Sequence, residues 1–254
     1  MIRTIDLNCD MGEGCGNDAE LMKFISSTNI ACGFHAGDRA TMTETVELAL
    51  KHNVAIGAHP SYRDLENFGR TAMSLPSKEV FAIVVEQIEE LRKICKLHGA
   101  LLHHVKPHGA LYNQAAKDHE LAAAIAEAIA SVDRDLILYG LSGSHLISEA
   151  GSVGLRTASE VFADRTYQSD GSLTPRSERD ALITDPEKAV AQALQMIRSK
   201  TVTATKGEII PTEADTLCIH GDGEHAVEFV KAIRESLAKA NVRVTAPGLN
   251  APAV

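Results

Sequence analysis

Apolar and polar positions along this chain follow a repeating two-part pattern. A short apolar run is followed by a longer segment whose apolar residues recur at steps of three and four. Residues 5–9 (IDLNC) precede DAELMKFIS, 28–34 (TNIACGF) precede RATMTETVELALKH, and 54–60 (VAIGAHP) precede a loop and then SKEVFAIVVEQIEELRKICKLH. The pattern resumes at 101–107, 135–142, 154–162 and 215–222, each with a helical segment downstream. The short runs predict buried strands, and the three-and-four spacing predicts helices with one buried face. Within 80–95 that face comprises Val80, Ile83, Val84, Ile88, Leu91, Ile94 and Cys95. Ser77 reads as an N-cap and Gly99 as the C′ residue of this helix, and Asp185-Pro186-Glu187 as an N-cap followed by proline at N1.

Seven strand–helix units without a break in composition predict an α/β fold with a parallel sheet. Seven or eight repeats favour a closed TIM-like β/α barrel, seven-stranded and distorted, with a doubly wound open sheet as the alternative. The closing VRVT at 242–245 reads either as an eighth strand or as a tail. The whole of 1–254 is taken as one barrel domain. Segments 61–76 and 163–183 are long for loops between strand and helix, a length usually associated with function. At 201–210, TVTATKGEII alternates and then turns near Lys206-Gly207, which predicts a small appended hairpin.

Composition narrows the choice of partners. The net charge is −9 and no basic block occurs, so nucleic acid is not an expected partner. No apolar run is long enough to predict a membrane span. An odd count of 5 cysteines without C-x-x-C predicts free thiols and, with no signal-peptide pattern at the start, a cytoplasmic location. No phosphate-binding glycine motif and no G-x-S-x-G elbow is legible.

Chemistry in a parallel barrel gathers at the C-terminal ends of the strands. The predicted ends carry Asn8 and Asp10, His35, His59, then His104, Lys106 and His108, then Glu160 and Asp164, and finally His220 and Asp222. In LLHHVKPHG, alternation places Leu102, His104, Lys106 and His108 on one face, which turns from apolar to polar toward the barrel mouth. His103 falls on the other face and is expected to bond to backbone. Two histidines and a carboxylate from three adjacent strands, Asp10, His35 and His59, are candidate ligands for a divalent metal. The same three also suit hydrogen bonding to a substrate.

The strings DLNCDMGEG (6–14), NIACGFHAGD (29–38), GAHPSYRD (57–64), VKPHGALYN (105–113), EVFADRTY (160–167) and CIHGD (218–222) together resemble the LamB/YcsF lactam-utilisation family along nearly the whole chain. The resemblance implies a barrel similar to those of glycoside hydrolases and polysaccharide deacetylases. It also implies the A-subunit of the bacterial ATP-dependent 5-oxoprolinase, which opens 5-oxo-L-proline to L-glutamate with ATP as co-substrate and with partner subunits B and C.

Residue chemistry then suggests roles. Lys106 suits a cation for oxyanion or phosphoryl charge, Asp10 or Glu160 a general base, and His59 or His108 an acid for the departing nitrogen. Arg63 and Arg165, on the two long loops, suit a carboxylate clamp. His35, His59, Asp164 and Asp222 complete the substrate-binding candidates. The alternatives are a stand-alone metal-dependent deacetylase or amidohydrolase, a non-catalytic substrate-binding subunit or, more distantly, a Schiff-base aldolase using Lys106.

Overall fold

The computed structural model describes residues 3–219 and 226–249. Strand β1 (Arg3–Met11) leads through a short helix α1 (Asp18–Leu21) to β2 (Ser27–Ala31). Three strand–helix units follow: α2 (Arg39–His52) and β3 (Ala55–His59), α3 (Ser77–Leu97) and β4 (Leu102–Val105), then α4 (Gly109–Ala115), α5 (His119–Val132) and β5 (Ile137–Leu141). The chain continues through α6 (His145–Ser152), β6 (Arg156–Phe162), α7 (Pro186–Ser199), β7 (Thr201–Thr203), β8 (Ile209–Pro211), β9 (Thr216–Cys218), α8 (Ala226–Lys239) and β10 (Val242–Val244).

The strands pair in parallel in the order β1-β2-β3-β4-β5-β6-β9, and β9 returns to β1. The result is a closed barrel of seven parallel strands with helices outside. The closing VRVT segment is a strand but not a stave of the ring. β10 pairs with Arg3–Ile5 of β1, whereas β9 pairs with the next three residues, Asp6–Asn8. The Ile5 and Leu7 carbonyls face one edge of β1 and accept from Thr245 and Ser26, whereas Asp6 N–H and the Asn8 carbonyl face the other and bond to Asp215 and Ile219, so β10 shares the edge of β1 that β2 uses and does not come between β9 and β1. β7 and β8 form a separate antiparallel ladder.

The main apolar core lies between the barrel wall and the helices, where Ile5, Leu7, Val84, Ile88, Leu91, Leu138 and Val161 are buried. The barrel interior is largely polar. Asp6 accepts from Ser26 (2.6 Å), Ser27 (2.8 Å) and Thr216 (2.7 Å). Asn8 donates to Thr216 (2.6 Å) and Glu160 (3.0 Å), and Asn29 donates to Asn8 and Asp10, both at 2.8 Å. Each buried group is satisfied by the next, so the network holds the strand ends in one arrangement.

Helix ends largely follow the sequence. Gly99 takes a φ of +68° just past α3, and Asp185 accepts from the backbone N–H groups of Glu187 and Lys188 ahead of Pro186. Ser77 is a correction: α3 begins at Ser77 itself, and Pro76 holds the cap position with no side-chain bond. Proline offers no side-chain oxygen, so only its carbonyl serves the first turn, accepting from Glu79 and Val80. Helix α4 was hidden behind Pro-His-Gly, which reads as a break. Its residues Ala110, Leu111, Tyr112 and Ala115 are buried, so packing around most of the helix holds it.

Candidate functional site

β4 ends at Val105, and the next residues rise into the barrel mouth. Lys106 N–H and His108 N–H still bond to Ala58 and Pro60 at the end of β3, so backbone pairing fixes both side chains after the strand has ended. The Lys106 ammonium is buried. It lies 2.9 Å from Asp10 Oδ1, 2.9 Å from Glu160 Oε1 and 3.3 Å from Asn8 Oδ1, with Cys218 Sγ at 3.1 Å. Burial works against the charged form, but the carboxylates of Asp10 and Glu160 more than offset it, and the pKa stands well above the usual lysine range. Lys106 is therefore an ammonium across the physiological range and a poor amine nucleophile, which counts against Schiff-base chemistry.

The two carboxylates differ. Glu160 is fully buried and its oxygens take bonds from Asn8, Lys106 and the Tyr112 hydroxyl (2.7 Å). It holds Lys106 in place. Asp10 lies at the floor of a cavity of about 580 Å³ that is also lined by Glu13, His59, Lys106, His108 and Tyr112. Its Oδ1 is engaged by Lys106 and Asn29, and its Oδ2 lies 3.3 Å from His59 Nε2. The rim of the cavity carries Arg70, Lys117, Arg165 and Arg176.

Beside Asp10, Glu13 meets three imidazoles. Glu13 Oε1 is 3.0 Å from His35 Nε2, 3.5 Å from His108 Nδ1 and 3.9 Å from His59 Nε2. His35 and His108 stack at 3.8 Å with rings 6° apart, and His59 Nε2 faces His108 Nδ1 at 2.9 Å. The partners set the ring protons. His59 Nδ1 donates to the Lys106 carbonyl (2.7 Å) and His108 Nε2 to the Phe68 carbonyl (2.9 Å). Ser61 spends its proton on the Tyr62 carbonyl and so accepts from His35 Nδ1 (3.0 Å). In its neutral form each ring then turns a lone pair inward. Burial pushes the pKa of His35 below the usual range and that of His108 well below it. A neutral, lone-pair imidazole is a metal ligand or proton acceptor rather than a ready acid. Glu13, His35, His59 and His108 are the described residues that converge to hold a cation, with one donor atom of each within 4.8 Å of the others.

The loop 61–76 builds the back of this cluster. Asp64 accepts from Asn67 and from the Thr71 backbone, which folds the loop so that Gly69 packs against the histidines. A Cβ at Gly69 would sit 2.9 Å from both His108 and His35, and one at Gly109 only 2.5 Å from the Gly69 carbonyl. Arg63, on the same loop, points away: its guanidinium pairs with Glu86 at 2.6 Å, lies over Phe34 and does not line the cavity. On the other long loop Arg165 lines the cavity, but it also donates to the carbonyls of Ala181 (3.2 Å) and Thr174 (2.6 Å), stapling residues 163–183 together. Asp164 is half-buried and outside the lining. Asp222 lies outside the described residues. Glu13 escaped notice in the sequence because it stands between two glycines. Its spacing from Asp10 was the available signal.

His104 faces the barrel interior below Lys106, donates to Asn29 Oδ1 at 2.8 Å and stacks on Tyr139. His103 bonds to the Pro247 carbonyl, as its outward face predicts. Burial pushes the His104 pKa well below the usual range, and the charges of His103 and Lys106 act the same way. As pH falls, the unfolded chain takes up this proton first. The stability from a neutral His104 is thus full above about pH 6.5 and is lost as pH drops below it, at up to about 1.4 kcal/mol per unit. Urea titrations between pH 7 and 5 are expected to show a shallower pH slope in His104→Gln than in the parent. Equal slopes would exclude His104 as the source.

The family model described as the LamB/YcsF family matches residues 5–250. The chain belongs to the LamB/YcsF family. A relative from Geobacillus kaustophilus (strain HTA426), named as the A-subunit of 5-oxoprolinase, is 54% identical over 250 residues, covering 97% of this chain and 98% of its own. The crystal structure of the lactam utilization protein from Thermus thermophilus superposes with a TM-score of 0.89 at 45% identity, covering 96% of this chain and 99% of that one. The T48 deacetylase, at a TM-score of 0.52 and 13% identity over 96% of this chain and 88% of its own, shares the fold alone. The barrel expected from strand counting is thus the fold of this LamB/YcsF chain.

Proposed function

We propose that this chain is the A-subunit of an ATP-dependent 5-oxoprolinase, hydrolysing 5-oxo-L-proline to L-glutamate together with partner subunits B and C. The observation that carries this is full-length similarity, at 54% identity, to a protein of that name. The cavity supports it with a fixed ammonium and a carboxylate side by side on its floor.

A five-membered lactam is a weak electrophile, and transfer of the ATP γ-phosphoryl group to its oxygen activates the ring carbon. Water then adds, the C–N bond breaks to leave an acyl phosphate, and a second water releases phosphate and glutamate. Lys106 stabilises the negative charge at the oxygen. Asp10, which lines the cavity beside Lys106, takes the proton from water and passes it to the departing nitrogen. Glu160 positions Lys106. The rim cations Arg70, Lys117 and Arg176 suit an anionic substrate, and Arg165 a substrate carboxylate. ATP is the co-substrate of the whole complex. A cytoplasmic setting accords with the buried free thiols of Cys9, Cys32, Cys95 and Cys218, and no helix among the described residues is long and apolar enough to cross a membrane.

The experiment is glutamate release from 5-oxoproline and ATP, by the chain alone and then with its partner subunits. Activity only in the mixture supports the proposal, and Asp10→Asn in that mixture is expected to lower kcat by about 10²–10⁴ with little change in KM. Amide hydrolysis by the chain alone, without ATP and lost to a chelator, would instead favour the metal-dependent amidohydrolase, the alternative that the histidine cluster keeps in view.

A further inference from the structure

We propose that Glu13, His35, His59 and His108 form a binding site for one first-row divalent cation of the zinc type, open on one side to the cavity. The inference stands on this donor set and not on which reaction the chain performs. A tetrahedral zinc ion with bonds of about 2.0–2.1 Å holds its ligand atoms about 3.3 Å apart. The donor separations here bracket that value: 2.9 Å between His59 and His108, and 3.0, 3.5 and 3.9 Å from Glu13 to His35, His108 and His59. All four donor atoms lie within 4.8 Å of one another.

The outer bonds of the rings point the same way. Metal-bound histidines donate their second nitrogen to an oxygen, which fixes the tautomer and aims the lone pair. Here all three do so, to the carbonyls of Lys106 and Phe68 and to the Ser61 hydroxyl. The lone pairs of His59 and His108 then face each other at 2.9 Å, a repulsive arrangement unless a cation or a proton lies between them. His103 and His104 also bring two ring nitrogens to 3.1 Å, so a facing pair alone is not diagnostic. What separates the mouth cluster is the third imidazole and the carboxylate arriving at the same point. Three nitrogens and one oxygen suit zinc or its first-row neighbours rather than magnesium or calcium, which prefer oxygen. Glu13, His59 and His108 line the cavity, next to Asp10 and Lys106, so an ion held there faces whatever occupies it. A bound ion supplies Lewis acidity toward a carbonyl oxygen or a water.

The test uses the full-length chain, stripped with chelator and titrated with Zn²⁺ by calorimetry and with Co²⁺ by visible absorption. One equivalent of each is expected, with intense tetrahedral Co²⁺ bands and a rise in Tm on adding Zn²⁺. Glu13→Gln, close in shape, is expected to weaken binding at least about 10²-fold. Ser61→Ala touches no ion and keeps every donor atom, yet is expected to weaken binding about 10–100-fold by freeing the His35 ring. Should Glu13→Gln fail to fold, Ser61→Ala and the parent titrations decide the matter. Absence of stoichiometric binding in the folded parent would overturn the site, as would binding that neither substitution changes. A ¹⁵N spectrum showing one proton shared by His59 and His108, unaltered by Zn²⁺, would overturn it as well.

Discussion

Replacing Lys106 with methionine is expected to abolish glutamate formation by the assembled enzyme, with a fall of at least about 10²–10³ in rate, while the chain still folds. The ammonium is held by Asp10, Glu160 and Asn8 before any substrate arrives, so its charge already stands at the cavity where negative charge develops. Methionine fills the volume but offers no charge. It also leaves two carboxylates without their cation, a cost of about 3–5 kcal/mol for breaking a buried pair. Glu160 retains Asn8 and Tyr112, and Asp10 retains Asn29, which moderates that cost. A domain with about 5–15 kcal/mol of stability survives such a loss weakened. Glutamate and phosphate release by the reconstituted complex, with circular dichroism as the folding control, checks the outcome. Activity within tenfold of the parent would remove Lys106 from the mechanism.

Gly57→Ala is expected to have the largest effect on stability. Gly57 sits in β3, and a Cβ there would lie 2.1 Å from His104 Nε2, far inside any permitted contact. The His104 ring cannot retreat without losing Asn29 and its stack on Tyr139. Overpacking of this kind usually costs about 1–3 kcal/mol, and a clash with a ring held on both sides belongs at or beyond the upper end. Denaturant unfolding measures it. The double variant Gly57→Ala/His104→Ala is expected to recover part of the loss, because the alanine at 104 vacates the space. If the two substitutions merely add, the clash is not the cause.

The glycine also shows what a sequence leaves hidden. Within VAIGAHP, Gly57 reads as one more small residue in an apolar run, and its reason for being glycine lies 47 positions away in the chain, at His104 on the neighbouring strand β4. Glu13 is similar. Its neighbours Gly12 and Gly14 make the segment read as a flexible loop, and only folding brings it against His35, His59 and His108. Arg63 illustrates the reverse: a loop position suited to a substrate clamp was legible, but the direction of its side chain was not, and it turns to Glu86.

The sequence by itself determined an α/β fold with a parallel sheet and favoured a barrel over an open sheet, because each strand and helix is written in the local spacing of apolar residues; the return of β9 to β1, which closes the ring, belongs to the tertiary structure. It also placed Asp10, Lys106 and Glu160 at strand ends, because alternation along an extended chain assigns faces without knowledge of neighbours. Only the tertiary structure decided how those ends meet: that Lys106 lies between Asp10 and Glu160, that His108 joins the cluster at Glu13, and that β10 lies beside β1 without entering the ring. Faces and spacings are local properties of a chain. Distances between residues far apart in sequence depend on how every intervening strand and helix packs, and no local pattern carries them.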